Sequence, residues 1–145
     1  MAINTQKVLI GGIAAGVVMN IIDFISYKFI LGARMMAESE AFKPGISQAM
    51  MTSAAMISNI VMDFVLGILL VWTYAAIRPR FGPGIKTAFY AALLFWVLVA
   101  ISLSGYLHMG MMSAGLWWSF AFIGLVNFLL SAWVGARLYS EDATV

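Results

Sequence analysis

Four long apolar stretches dominate this sequence and leave few folds open to it. They run roughly over residues 8–29, 52–77, 87–107 and 116–138. A helix crosses the hydrocarbon core of a bilayer with about 20 apolar residues at about 1.5 Å each, so every stretch is long enough to span. The pattern predicts an all-α fold, a polytopic membrane protein whose single domain over 1–145 is a bundle of four transmembrane helices. Little chain is left for anything outside the bilayer. The first stretch ends without a small-x-small cleavage site and is read as a retained span, not a signal peptide.

Composition agrees with the stretches. Hydrophobic residues make up 63% of the chain and charged residues 10%, against about 25% charged in a soluble domain. The net charge of +2 gives no basic patch to grip phosphates, which excludes nucleic acid as a partner. With no cysteine, disulfides, thiolate metal sites and thiol chemistry are also excluded.

The basic residues set an orientation. Lys7, Arg78, Arg80, Lys86 and Arg137 fall on one side of the spans, and Lys28, Arg34 and Lys43 on the other. The excess predicts both termini in the cytoplasm, with Trp117 and Trp118 at the outer interface of span four. Arg78-Pro-Arg-Phe-Gly-Pro-Gly84 reads as a turn, and His108-Met-Gly-Met-Met112 as a short outer turn. The outer loop 31–47 has room for an interfacial helix at 33–42, ended by Lys43-Pro44-Gly45, with Ser47 capping span two. Asn20-Ile-Ile-Asp23-Phe24 echoes Asn59-Ile-Val-Met-Asp63-Phe64, too briefly to define a repeat.

Each span has one face suited to protein instead of lipid. At about 100° per residue, Gly12, Gly16, Asn20, Asp23 and Tyr27 fall within about 80°, and Gly12-Ile-Ala-Ala-Gly16 is a pattern for close helix approach. Gly124, Asn127, Ser131 and Gly135 share a face of span four, and Asn59, Asp63, Gly67 and Tyr74 one of span two; span three offers only Ser102 and Tyr106. Asp23 stands about 15 residues from position 8, and Asp63 about 14 from position 77, which puts both roughly 21–23 Å from the cytoplasmic side. Asn20, Asp23, Asn59, Asp63 and Asn127 thus form the polar intramembrane cluster.

Two chemistries fit that cluster. Asn and Asp on facing helices are common interhelical glue. Carboxyls without a cation at their height also suit the handling of protons or cations. Lys28 is five residues from Asp23 and about 140° around the helix, poor geometry for a pair. A second candidate site is the outer set His108, Met109, Met111 and Met112. Thioethers select Cu(I), and one imidazole would complete such a site; the bland alternative is that the 11 methionines are flexible apolar filler. Zinc-protease, nucleophile-elbow and phosphate-loop motifs are absent, so the chain is not expected to be an enzyme.

The segment Gly11-Gly-Ile-Ala-Ala-Gly-Val-Val-Met-Asn-Ile-Ile-Asp-Phe24, followed by Ile30-Leu-Gly-Ala-Arg34, resembles the first span of small uncharacterised four-helix bacterial inner-membrane proteins. That resemblance covers about the first quarter of the chain. It implies a multi-pass protein of a bacterial inner membrane and carries over no activity, ligand or catalytic residue. The residues point to a non-enzymatic assembly or accessory subunit, in a homo-oligomer or larger complex, whose small-residue faces exceed what one chain needs. The other reading is a small transporter of protons, cations or Cu(I).

Overall fold

The computed structural model describes residues 3–140, and these are helical almost throughout. Helix α1 (Thr5–Ser26) passes through a π-helical turn (Tyr27–Leu31) into α2 (Gly32–Phe42). A short α3 (Ile46–Met50) leads to α4 (Ser53–Phe81), α5 (Ile85–His108) and α6 (Ala114–Leu138). Four helices are long and apolar enough to cross a membrane: the α1–α2 rod, α4, α5 and α6. They alternate in direction. One end of the bundle carries the start of α1 and the end of α6 (the terminal end). The other carries α2, α3 and the α5–α6 turn (the loop end).

Side-chain caps fix where the helices start. The Asn4 side chain accepts from the Lys7 amide at 3.0 Å, Thr52 from Ala55 at 3.3 Å and Ser113 from Leu116 at 3.2 Å. Thr52, not Ser47, therefore caps span two. The Glu40 carboxylate accepts the Gly45 and Ser47 amides at 2.6 and 3.2 Å, and Gly45 turns at φ 87°, so Ser47 is absorbed into α3. At its other end α4 runs past the expected stop, through Pro79, to Phe81. Gly82 still donates to the Arg78 carbonyl at 2.8 Å, and the turn shrinks to Gly82-Pro83-Gly84, with Gly82 at φ 83° and Gly84 at φ 124°.

Small residues decide which helices touch. A methyl on Gly12 would lie 2.5 Å from Ile68 Cα, and one on Gly67 2.5 Å from the Gly12 carbonyl oxygen. Gly16 is as tightly placed against Phe64, so the Gly12/Gly16 stripe is used up on α4. The next face of α1 meets α6, where a methyl on Gly11 would lie 2.6 Å from the Gly135 carbonyl oxygen. Backbones this close gain dispersion contacts along their length, the main attraction between helices in lipid. The glycine faces thus pack within one chain, and the surplus expected for a neighbouring subunit is not found there.

α5 joins through α6: Trp96 Nε1 donates to the Ala121 carbonyl at 2.7 Å and Trp117 Nε1 to that of Ala100 at 3.2 Å. At the terminal end the Tyr74 and Tyr139 rings meet edge to face at 5.9 Å, and the Tyr74 hydroxyl accepts from the Gly84 amide at 3.2 Å. The core lies toward this end, around Val8, Ala15, Leu70, Val71, Ala75 and Ala91.

The fourth side of the bundle closes only halfway. α4 buries Gly67, Leu70, Val71, Tyr74 and Ala75 but nothing before them; α5 buries Thr87, Ala88, Ala91 and Ala92 but nothing after them. α1 and α6 bury residues along most of their length. The seam between α4 and α5 is therefore packed at the terminal end and open at the loop end.

Candidate functional site

The polar residues of the spans gather around that half-open seam. Asp23 Oδ1 accepts from Asn127 Nδ2 at 2.7 Å, and Asn127 Oδ1 accepts from the Ser131 hydroxyl at 3.2 Å. Ser131 and Asn127 are buried, while Asp23 is exposed at the edge of the bundle. A hydrogen-bonded line thus leads from the α1–α6 interface out to one carboxyl. Asn20 serves a different contact: its Nδ2 donates to the Gly16 carbonyl at 2.9 Å and to the Ile60 carbonyl on α4 at 3.4 Å. That bond is interhelical glue of the ordinary kind.

Asp63 has no such support. It is half-buried and makes no side-chain hydrogen bond among the described residues. Its backbone lies beside Gly16, since a methyl there would stand 3.2 Å from the Asp63 carbonyl oxygen. Asp23 is about seven residues further along α1, or about 10 Å toward the loop end. The two aspartates are therefore not at one height. The sequence estimate took positions 8 and 77 as level, but with Gly12 beside Ile68 and Gly16 beside Phe64 position 8 of α1 stands level with about position 72 of α4, and position 77 lies further toward the terminal end. Side chains lean toward the N-terminus of their own helix, so in antiparallel α1 and α4 these two lean toward each other.

Neither carboxyl forms an ion pair among the described residues. Among the described residues the one ion pair joins Arg34 Nε to Glu38 Oε1 at 2.9 Å, outside this cluster. Asn59 is exposed on α4. Gly124 makes only ordinary contact, as a methyl there would lie 3.9 Å from Trp96 Cδ1. A groove of about 250 Å³ between α1 and α6 is lined by Ile22, Ile25, Ser26, Phe122 and Ile123, among others, and suits an acyl chain better than a polar solute.

The outer methionine set lies in the α5–α6 turn. His108 Nδ1 is 2.6 Å from the Ser104 carbonyl oxygen, so Nδ1 is the nitrogen that donates to the backbone. Met109 is exposed; Met111 and Met112 are half-buried. No group of three or more His, Asp or Glu side chains comes together as a metal site among the described residues.

One polar cluster was not foreseen. Glu38 on α2 accepts from the Ser113 amide at 2.8 Å, the Ser113 hydroxyl at 2.7 Å and Arg34 Nε at 2.9 Å. Arg34 Nη2 also donates to the Ser113 hydroxyl at 2.9 Å. This clamp fixes the far end of the α1–α2 rod to the start of α6, supplying a carboxylate where helix amides lack partners. The Arg34–Glu38 spacing is visible in the sequence; the link to Ser113 is not.

Compared with protein-family models, curated proteins and solved structures, the chain shows no match, so function is read from its own residues.

Proposed function

We propose that this chain is a non-enzymatic integral membrane subunit that assists or assembles with other membrane proteins, in a bacterial inner membrane with both termini cytoplasmic. The observation that carries this reading is the seam between α4 and α5. Burial stops halfway along both α4 and α5, which leaves half of one side of the bundle open beside two carboxyl groups. Hydrocarbon is a poor neighbour for those groups: an Asp at the centre of a spanning helix costs roughly 2.5–3.5 kcal/mol. Extraction from native membranes in mild detergent, followed by mass-resolved size exclusion, should give a particle heavier than one chain with its detergent. A bare monomer contradicts the reading.

A second reading is favoured because, among the described residues, neither Asp23 nor Asp63 forms an ion pair. In it, the open half of the seam admits protons or small cations to the pair, or the His108–Met112 turn passes on Cu(I). Reconstituted vesicles would then show an ion flux that Asp63→Asn reduces about tenfold or more. Equal flux in both proteins removes the proton and cation route, and a Cu(I) flux unchanged by Met109→Leu with Met111→Leu and Met112→Leu removes the copper route.

A further inference from the structure

The open seam has a definite chemical character, which says what fills it. At about 100° per residue, Met56, Asn59 and Asp63 lie within about 60° of Leu70 and Tyr74, the residues that close the seam lower down. Leu98 and Ser102 similarly continue the face of Ala91 on α5. Below, these faces are buried against each other; above, Met56 and Leu98 are 54% and 55% exposed, and Asn59 and Ser102 are exposed as well. The occupant must therefore be largely apolar in outline, as its walls are.

The floor of the seam asks for hydrogen-bond donors and positive charge. Asp23 receives one strong bond, from Asn127, and Asp63 receives none among the described residues. When ionised, both carboxylates only accept, so a donor or a positive charge is the complement to the seam. Intramembrane charges of this kind pair with opposite charges when a partner is present.

We infer that the seam receives a transmembrane helix of another protein, carrying a Lys or Arg at a depth between those of Asp23 and Asp63. A helix satisfies its own backbone in lipid, which an extended segment would not. A second copy of this chain does not supply the charge. Its spans hold no Lys or Arg between Lys7 and Lys28, between Lys43 and Arg78, or between Lys86 and Arg137. Of the three loop-end cations, Arg34 is committed to Glu38 and Ser113, Lys43 lies beyond α2, and Lys28 is near the end of the span. The inference rests on the subunit reading and names the partner's chemistry.

The test uses the whole chain with a fluorophore on Ser140→Cys, the chain having no cysteine of its own. It is reconstituted in phosphatidylcholine vesicles with acceptor-labelled leucine–alanine peptides of about 23 residues, each with one central Lys, Arg, Gln or Leu. Energy transfer should report the Lys and Arg peptides binding about tenfold more tightly than the Leu peptide. Asp23→Asn with Asp63→Asn, which keeps size and hydrogen bonding, should remove that preference. Equal binding of Lys and Leu peptides overturns the inference, as does a Gln peptide that matches Lys. Transfer between labelled copies of the chain that the double substitution weakens would place a second copy in the seam and also overturns it. A chain that leaves native membranes in a complex yet shows no Lys preference defeats this inference alone. A bare monomer from native membranes defeats the subunit reading and this inference together.

Discussion

At the scale of single residues, the bundle depends on glycines whose hydrogens point at neighbouring backbones. Gly67 is the clearest, because an added methyl meets the Gly12 carbonyl oxygen and the Gly16 amide nitrogen, backbone atoms with no rotamer to yield. Gly67→Ala should lower stability by about 1–3 kcal/mol through overpacking, measured by thermal unfolding in detergent. Gly16→Leu should do at least as much harm, since its face is filled by Phe64. An unchanged melting temperature in both variants would contradict the α1–α4 register. The sequence made it plain that Gly12 and Gly16 pack on a helix. Which helix was not legible, because α4 and α6 both present small residues, and Gly11 rather than Gly12 meets Gly135. The polar residues divide in a similar way. Asn20 and Asn127 are recognisable as amides that bridge helices, but their partners, the Ile60 carbonyl and Asp23, follow only from the register.

At the scale of elements, the four spans were readable because hydropathy over a bilayer's thickness is a strong signal, and their ends were less so. α4 passes through Pro79 although the proline cannot donate to the Ala75 carbonyl, and Gly82 closes the last turn on Arg78. The height of Asp63 follows from the α1–α4 register, which no helix end reveals. The 33–42 segment was readable as a helix ended by Lys43-Pro44-Gly45, and α2 ends at Phe42 with Lys43 extended. Its tie to α6 joins residues 75 positions apart and had no local signature. The tie predicts a measurable effect. Glu38→Ala removes the acceptor for the Ser113 amide and hydroxyl, so amide hydrogen exchange at Ser113 should speed up about tenfold. Amides in the α1–α4 contact, such as Gly67, should keep their protection. Uniform loss of protection would show a general unfolding, and no change at Ser113 would contradict the clamp.

At the scale of the whole molecule, helices packed on three sides and half of the fourth leave one opening. The terminal end is closed by apolar side chains and the Tyr74–Tyr139 contact; the loop end parts between α4 and α5. The polar faces of spans one, two and four gave no sign of this, because the apolar residues beside them suit lipid and a helix neighbour equally. Only burial distinguishes them, and it stops at Gly67 on α4 and at Ala92 on α5. The central claim, that a protein helix and not lipid covers the opening, is tested by a photoreactive side chain in living membranes. Placed at Met56 or Asn59 it faces the seam; placed at Val65 or Trp72 it lies on the opposite side of α4, exposed to lipid. The account predicts a protein adduct of one defined mass from both seam positions, lost when Asp23 and Asp63 are changed to Asn, with none from Val65 or Trp72. Adducts to lipid alone at all four positions would contradict it.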